Sequence, residues 1–282
     1  MLLNKFTYHS PKEISEAIEL LDDKPNSKIL AGGTILIANL KLFKQRNMPT
    51  PEHIISLRKI PELKGINIDT DSITIGAMTT INELQQNTHV KKNLSIIKTC
   101  CENLATTPIR NMATIGGNLT CRYTWTELSS VMVALDAQFI FRSESGIKTI
   151  SAENYFFDQA KQEGILTHIK LKLNADRISA FKRIGKRAIV DKPMLSISVS
   201  AIAQNKKIND SRIVINNGYS FAIRDKKAEN FLNGKNLNIS LVKDILQHID
   251  TEIFDSRSDD YKKHMSRMAL TDTIEQLVQQ CK

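Results

Sequence analysis

Two pairs of consecutive glycines are the residues of this sequence best suited to hold a ligand. The first lies in Ala31-Gly32-Gly33-Thr34 and the second in Thr114-Ile115-Gly116-Gly117-Asn118. Consecutive glycines let the backbone approach a ligand closely and can turn successive N–H groups toward one point, an arrangement that holds phosphate oxygens. The hydroxyls of Thr34 and Thr114 and the amide of Asn118 could add donors. Two such loops suggest a clamp on one pyrophosphate, although each pair is also compatible with an ordinary tight turn.

The familiar phosphate-binding fingerprints do not explain these loops. The sequence contains no GxGxxG motif, so a Rossmann dinucleotide site is not predicted. It also contains no GxxxxGK[ST] motif, which excludes a P-loop.

The histidines and cysteines form no metal-binding pattern. The six histidines are scattered without ligand spacing, and no CxxC occurs. Four thiolates at cluster spacing are missing as well, which excludes an iron–sulfur cluster held by this chain alone. We expect reduced, mostly buried thiols, as in a cytosolic protein. The residues concerned are His9, His53, His89, His168, His248, His264, Cys100, Cys101, Cys121 and Cys281.

The elements around the first glycine pair follow a β-α-β pattern and then become antiparallel. Ser10, Pro11 and Glu13 predict a capping box, with Ser10 as the N-cap of the first helix. The further predictions here are a strand over 28–31, a helix over 35–43, a strand over 53–57 and a hairpin that pairs 66–68 with 73–75. This order favours an α+β fold over a doubly wound sheet.

The rest of the chain is predicted to alternate between helices and strands. Helices are predicted over 80–86, 90–103, 127–135, 226–232, 240–247 and 259–280, strands over 138–142, 166–171, 195–203 and 212–215, and a loop over 106–111. The pattern breaks near 174–177. We therefore predict one domain over 1–174, with subdomains of about 1–57 and 58–174, and a C-terminal domain over 175–282.

Composition narrows the class of protein. The chain has 282 residues, of which 41% are hydrophobic and 24% charged, as in an ordinary globular protein. The net charge of +9 is spread along the chain, so a nucleic-acid-binding function rests on charge alone. No run approaches the roughly 18 apolar residues of a membrane span. The first residues do not resemble a signal peptide, and we expect a cytoplasmic location.

Several motifs, in a fixed order, carry a resemblance to one family. After the first glycine loop come Ile75-Gly76-Ala77-Met78-Thr79-Thr80, then Ile109-Arg110-Asn111-Met112-Ala113 ahead of the second loop, and Ala134-Leu135-Asp136-Ala137. The likeness continues in Ser179-Ala180-Phe181-Lys182-Arg183 and in the stretch from Asp255 to Lys262. Together these motifs resemble the FAD-binding medium subunit of molybdenum hydroxylases, the xanthine dehydrogenase and carbon monoxide dehydrogenase family. The resemblance covers nearly the whole chain.

The resemblance implies a p-cresol methylhydroxylase-type FAD-binding fold, with two α/β subdomains and a smaller C-terminal α+β domain. It implies that the two glycine loops bind the FAD pyrophosphate, and that the Gly76-Ala77 turn and Thr80 approach the flavin. The backbone of Leu166 and the side chain of Lys182 occupy positions that contact the cofactor in the xanthine dehydrogenase branch. Glu127 lies at the offset of a family Asp directed at FAD, but the small residues and prolines around that Asp are missing here. The FAD-binding positions implied in this way are Ala31, Gly32, Gly33, Thr34, Gly76, Ala77, Thr80, Thr114, Ile115, Gly116, Gly117, Asn118, Glu127, Leu166 and Lys182.

Four further residues have two interpretations each. Lys182 could stabilise reduced flavin or be a solvated strand residue, and Arg110 could contact phosphate or support the fold through a salt bridge. Cys121 could lie close to the flavin or simply pack. Trp125, the only tryptophan, could cover a cofactor edge, form a subunit contact or pack.

As a function, the resemblance implies an electron-transfer subunit that acts with partner chains. Those partners are a 2Fe–2S subunit and a molybdopterin subunit, in a heterotrimer or its dimer, with NAD or another molecule as the electron acceptor. The flavin does the redox chemistry, so no catalytic side chain is predicted. Two alternatives remain at this stage: a free-standing flavin oxidase of the same fold, and a scaffold subunit that has lost FAD.

Overall fold

The structure is a computed structural model, and it describes residues 2–158, 162–187, 191–219, 221–254 and 258–280. The strands are β1 (Thr7–His9), β2 (Ser27–Leu30), β3 (His53–Ser56), β4 (Ile66–Ile68), β5 (Ser72–Gly76), β6 (Gln138–Ser143), β7 (Gly146–Ser151), β8 (Ile165–Lys172), β9 (Arg177–Gly185), β10 (Pro193–Gln204), β11 (Lys207–Asn216) and β12 (Ile223–Arg224). The helices are α1 (Ile14–Asp23), α2 (Leu36–Gln45), α3 (Ile81–Gln86), α4 (Thr88–Asn93), α5 (Ser95–Asn103), α6 (Thr107–Arg110), α7 (Ile115–Thr120), α8 (Leu128–Ala134), α9 (Ala152–Phe157), α10 (Lys226–Leu232), α11 (Ser240–Asp244) and α12 (Asp260–Gln280). Short 3-10 turns occur at Pro61–Leu63, Ile245–Gln247 and Thr251–Ile253.

The N-terminal part is a three-stranded parallel sheet in the order β1-β3-β2. Its strands are joined through α1 and α2, as the β-α-β pattern predicts. Ile55 of β3 is fully buried and belongs to one apolar cluster with Ile14 and Ala17 of α1. This packing fixes α1 against the sheet. Helix α2 begins at Leu36, three residues after Gly33.

The predicted capping box at Ser10 is wrong. Helix α1 begins at Ile14, and Glu13, in extended backbone conformation, is its N-cap without a side-chain hydrogen bond. The Glu16 carboxylate accepts the backbone N–H of Lys12 at 3.0 Å. The Glu16 side chain, inside α1, therefore satisfies the Lys12 N–H, which lies ahead of the helix. Ser10 is not needed as a cap.

The middle of the chain forms a five-stranded antiparallel sheet in the order β4-β5-β8-β6-β7. The predicted hairpin is present, because Ile66 pairs with Ile75 and Ile68 with Ile73. Helices α3, α4, α5, α7, α8 and α9 contribute to a core in which Phe139 is fully buried.

Three local predictions in this region differ from the structure. The single helix expected over 90–103 is two helices, because Leu94 leaves helical geometry with φ −136° and ψ 50° and buries its side chain. The expected loop at 106–111 contains α6. The third difference is that β7 and α9 have no counterpart among the predicted elements. The first four residues of β7 are exposed on both faces, so its sequence lacks a clear alternating pattern.

The last part of the chain is a four-stranded antiparallel sheet in the order β12-β11-β10-β9. One face packs against α10 and the long helix α12, where Leu270, Ile274 and Leu277 are fully buried. The other face meets α8. The described residues thus form one parallel and two antiparallel sheets, which confirms the α+β class.

The contact between α8 and the four-stranded sheet is polar at its centre, and several side chains there hydrogen-bond. The hydroxyls of Ser130 and Ser198 lie 2.8 Å apart, and the Ser200 hydroxyl donates to the Ala134 carbonyl at 2.5 Å. The Asn216 amide donates to the Thr126 carbonyl at 3.0 Å. We call these residues the serine seam.

The domain limits at 57/58 and 174/175 stay predictions. They fall between elements, since β3 ends at Ser56 and β8 ends at Lys172. Of the family-like stretch from Asp255 to Lys262, residues 255–257 lie outside the described residues, as does Cys281. Within the described ranges, no helix is long and apolar enough to cross a membrane.

Candidate functional site

The two glycine pairs lie against each other, although they are far apart in the sequence. A β-carbon on Gly32 would overlap the Met112 carbonyl, just ahead of the second pair. A β-carbon on Gly117 would lie 3.4 Å from the β-carbon of Ala31. The absence of side chains therefore allows the two backbone segments to approach closely, and both pairs contribute to one site.

The first glycine loop presents a row of unpaired backbone donors. Gly33 has φ +76°, a left-handed conformation that favours glycine. The N–H groups of Gly32, Gly33, Thr34 and Ile35 have no hydrogen-bond acceptor in the part of the chain that the structure describes. They precede the ten-residue helix α2, whose first turn is anchored by the Ile37 N–H on the Gly33 carbonyl at 3.0 Å. Successive N–H groups at a helix start favour an anion such as a diphosphate.

The second glycine pair does not present free backbone N–H groups. It begins helix α7, with Thr114 as N-cap, and its N–H groups are already paired. Gly116 donates to the Ala77 carbonyl at 2.8 Å, and Gly117 donates to the Thr114 hydroxyl at 3.1 Å. The expected second cradle of free N–H groups is therefore absent from this loop. What the loop leaves unpaired is the buried Asn118 Oδ1 atom.

The Gly76-Ala77 turn joins the second glycine pair to the five-stranded sheet. The Ala77 N–H donates to the Thr167 carbonyl of β8 at 2.8 Å, and the next residue back on β8 is Leu166. The Leu166 side chain is buried in the core. A β-carbon on Gly76 would overlap the Leu63 carbonyl, so this glycine is needed for close packing. Ala77 and Gly76 thus connect the site rigidly to the sheet.

Thr80 lies next to Thr114 but uses its hydroxyl locally. An isolated β-bridge joins Thr80 to Thr114. Thr80 caps α3 in a capping box with Glu83, whose backbone N–H donates to the Thr80 hydroxyl at 3.1 Å. The structure therefore brings Thr80 beside the second loop, while its approach to a flavin stays a prediction.

Glu127 is a buried carboxylate paired with Arg183, a residue that the sequence analysis did not single out. Arg183 Nε and Glu127 Oε1 are 3.0 Å apart, yet neither atom has an aligned hydrogen-bond partner among the described residues. Burial raises the pKa of Glu127 to about 7, against the lowering effect of the Arg183 charge. Alternation along β9 could have indicated that Arg183 points inward, because Arg183 lies on the same face of the strand as the buried Phe181.

Lys182 lies on the opposite face of β9. Its ammonium is 2.6 Å from the Asp272 carboxylate of α12, and both side chains are partly exposed. The structure does not bring this ammonium to the glycine loops, and its contact with a flavin stays a prediction. Arg110 supports the fold, because its guanidinium donates to the carbonyls of Leu104 and Ala105 at 3.0 Å.

The segment between α7 and α8 carries an aromatic pair. The Tyr123 and Trp125 rings stack with centroids 5.0 Å apart, and the Lys192 ammonium lies 5.1 Å from the Trp125 ring centroid. The Asn39 amide of α2 donates to the Tyr123 hydroxyl at 3.0 Å. Trp125 also lines a cavity of about 420 Å³ with Lys186, Asp191, Lys192, Pro193, Met194, Asn217, Asp259 and Lys262.

These features fit a dinucleotide cofactor. A row of free backbone donors at a helix start suits a diphosphate, and the unpaired Asn118 Oδ1 can accept from a hydroxyl of the ligand. Among the described residues, no group of three or more His, Cys, Asp or Glu side chains is arranged to hold a metal ion.

Comparison with known proteins assigns the class. A family model described as the FAD binding domain in molybdopterin dehydrogenase matches residues 4–172, more than half of the chain. The chain therefore belongs to this family. It is an FAD-binding subunit of the molybdenum hydroxylase type and part of an oxidoreductase, and it has the p-cresol methylhydroxylase-type fold. The predictions of the family, the fold and FAD as cofactor are confirmed.

Individual relatives agree with this assignment. The glyceraldehyde dehydrogenase medium chain of Sulfolobus acidocaldarius is 26% identical over 253 residues, which is 88% of each chain. The carbon monoxide dehydrogenase medium chain of Hydrogenophaga pseudoflava is 28% identical over 242 residues, 83% of this chain and 82% of the relative. Among solved structures, the carbon monoxide dehydrogenase of H. pseudoflava, in a form lacking the Mo-pyranopterin moiety of its molybdenum cofactor, matches with a TM-score of 0.89 and 26% identity over 98% of both chains.

Proposed function

We propose that this chain transfers electrons from iron–sulfur clusters of a partner subunit, through its own FAD, to NAD or another acceptor. The observation that carries the proposal is the row of free N–H groups from Gly32 to Ile35, a diphosphate cradle in a chain of this family. The relatives support a role in electron transfer rather than in substrate binding. Medium chains of a glyceraldehyde dehydrogenase and a carbon monoxide dehydrogenase share this chain's length, although their substrates differ.

The complex that we propose contains two further kinds of subunit. One carries 2Fe–2S clusters and the other carries molybdopterin, in a heterotrimer or its dimer. Hydroxylation of the organic substrate takes place on the molybdopterin subunit. We also propose a cytoplasmic location for the complex, consistent with the reduced thiols expected from the sequence.

In this proposal the residues of the chain bind and orient the cofactor. The N–H groups of Gly32 to Ile35 hold the diphosphate, and the Asn118 amide and the Gly76-Ala77 turn fix the direction of the flavin end. When bound, FAD supplies the redox chemistry. The proposed FAD-binding residues remain Ala31, Gly32, Gly33, Thr34, Gly76, Ala77, Thr80, Thr114, Ile115, Gly116, Gly117, Asn118, Glu127, Leu166 and Lys182.

Two measurements, one on the complex and one on the isolated chain, test the electron route. A tagged chain should co-purify with a small iron–sulfur subunit and a large molybdenum subunit. The isolated chain with FAD should oxidise no purine, aldehyde or aromatic heterocycle, but should pass electrons from NADH to a dye if NAD is the acceptor. Turnover of an organic substrate by the homogeneous chain without partners would reject the proposal and favour a free-standing flavin oxidase.

A further inference from the structure

Strand β9 separates its two adjacent cations onto opposite faces. Ala180 packs with the core beneath α12, and Lys182, two residues on, pairs with Asp272 of α12. Phe181 packs with the core around α5 and α8, and Arg183 points to the same side, toward Glu127. Because the side chains of a strand alternate, neither cation can take the place of the other.

The surroundings of Arg183 hold its guanidinium in place. One terminal nitrogen donates to the Asp191 carbonyl, while Nε lies 3.0 Å from Glu127 Oε1. Ser196, the partner of Arg183 in the β9–β10 register, is buried, and its hydroxyl has no partner among the described residues. A buried guanidinium, a buried carboxylate and a buried hydroxyl therefore share one small polar region.

Among the titratable groups packed around Glu127, Arg183 is the one whose charge lowers the pKa of the carboxyl group, against the raising effect of burial. From α5, the Cys100 thiol lies within electrostatic reach of both Glu127 and Arg183, but burial raises the pKa of this thiol and keeps it neutral. From β10, Ser196 supplies a hydroxyl that does not titrate. The charge state of Glu127 thus depends on burial and on Arg183.

We propose that Arg183 is a positioning residue that acts through Glu127: its guanidinium supplies the counter-charge that lets the buried Glu127 carboxylate ionise. The relevance to flavin rests on the proposed function, because Glu127 is a proposed FAD-binding residue. The pair carries no net charge while both groups are ionised. Loss of Arg183 leaves a buried carboxylate without a counter-charge, and Glu127 then takes up a proton from solvent.

The titration of Glu127 tests this proposal directly. The full chain, with ¹³C at the glutamate carboxyl carbons, is followed by NMR against pH, both flavin-free and loaded with FAD, and Glu127→Gln identifies the signal. Arg183→Ala should move the midpoint upward by about 1–3 pH units. Arg183→Lys should restore most of the natural midpoint, because it returns a cation to the same face. Asp272→Asn, a control that changes the charge beside Lys182 on the other face of β9, should leave the midpoint unchanged.

Each outcome decides the question. An unshifted midpoint in Arg183→Ala, or an equal shift in Asp272→Asn, overturns the proposal. If Arg183→Ala does not fold, Arg183→Gln, which keeps a hydrogen-bonding side chain but no charge, must show the same upward shift or the proposal fails. The flavin-free measurement is independent of the electron route. A natural chain that binds no FAD would reject the proposed function while leaving the Arg183–Glu127 result to stand.

Discussion

Gly116 lies so close to Ala77 that a β-carbon added to Gly116 would stand 2.7 Å from both the β-carbon and the carbonyl oxygen of Ala77. Two backbones are therefore in direct contact here, where α7 begins beside the turn that follows β5. The Gly116 N–H donates to the Ala77 carbonyl at 2.8 Å, which holds them at this separation. The contact has no free space in which a side chain could be accommodated.

Gly116→Ala should consequently destabilise the fold by about 1–3 kcal/mol, the usual cost of forcing an extra methyl group into a packed region. The matched control is Gly117→Ala in the same helix, whose β-carbon would meet its nearest atoms at 3.0 Å and 3.4 Å. Alanine favours the helix by about 1 kcal/mol, which offsets the small shift that the Thr114 hydroxyl must make, so this variant should lose less stability than Gly116→Ala. Urea unfolding measures both free energies, and equal losses would contradict the packing argument.

Gly33→Ala should weaken FAD binding. Gly33 has φ +76°, and alanine in that conformation costs about 1–2 kcal/mol, so the loop relaxes and binding must restore its shape. The expected loss is about tenfold in affinity. Gly146→Ala is the control, because Gly146 also has positive φ, at +116°, but lies in the β6–β7 turn with nothing near it. Titration of the two flavin-free variants with FAD compares their affinities. An equal loss of affinity at both positions would reject the assignment of Gly32 to Ile35 as the diphosphate cradle.

Glu127→Gln should change how stability depends on pH. Burial raises the folded pKa of Glu127 to about 7, above its ordinary value of 4.5, so the folded chain binds this proton more tightly than the unfolded chain. The stabilisation is complete below about pH 4.5 and is lost as pH rises through 7, by an amount on the order of 3 kcal/mol. Urea unfolding from pH 4.5 to 8 should therefore show a smaller fall in the variant. Parallel profiles for the two proteins would disprove the assignment.

Arg224→Met should be strongly destabilising. Arg224 binds both carboxylate oxygens of the buried Glu229, at 2.9 Å and 2.7 Å, and also contacts Glu153 of α9 at 2.7 Å. Removing the cation leaves the Glu229 charge buried and uncompensated, with an expected cost of about 3–5 kcal/mol. The control is Lys227→Ala at an exposed pair with Asp250, where no measurable change is expected. Thermal unfolding compares the two variants, and a mild effect of Arg224→Met would show that Glu229 is solvated.

Much of the fold could be predicted from the sequence because its elements have strong local patterns. The hairpin of β4 and β5 alternates clearly, and α10 was predicted with its true limits, 226–232. Helix α6, with only four residues, has no period to detect. Its stability comes from Arg110, whose guanidinium binds carbonyls that local sequence patterns do not reveal.

The site was predictable in its glycines but not in its charges. Glycine pairs show where backbones come close, and the structure brings both pairs together. They do not show which loop keeps its N–H groups free, since this depends on acceptors elsewhere, such as the Ala77 carbonyl that takes the Gly116 N–H. Likewise, Lys182 and Arg183 are neighbours in the sequence. Strand alternation places them on opposite faces, but only the packing of β9 between α5 and α12 decides which cation is brought to Glu127.

The serine seam has a consequence for how α8 docks on the four-stranded sheet. Apolar surfaces can slide over one another at little cost, whereas the hydroxyl pair of Ser130 and Ser198 and the bond from Ser200 to the Ala134 carbonyl each exist in one alignment only. If α8 shifted along the sheet, these buried groups would lose their hydrogen-bond partners. The serine seam therefore selects a single alignment of α8 on the four-stranded sheet. That alignment also fixes the distance between the glycine loops and the residues of β9 to β12.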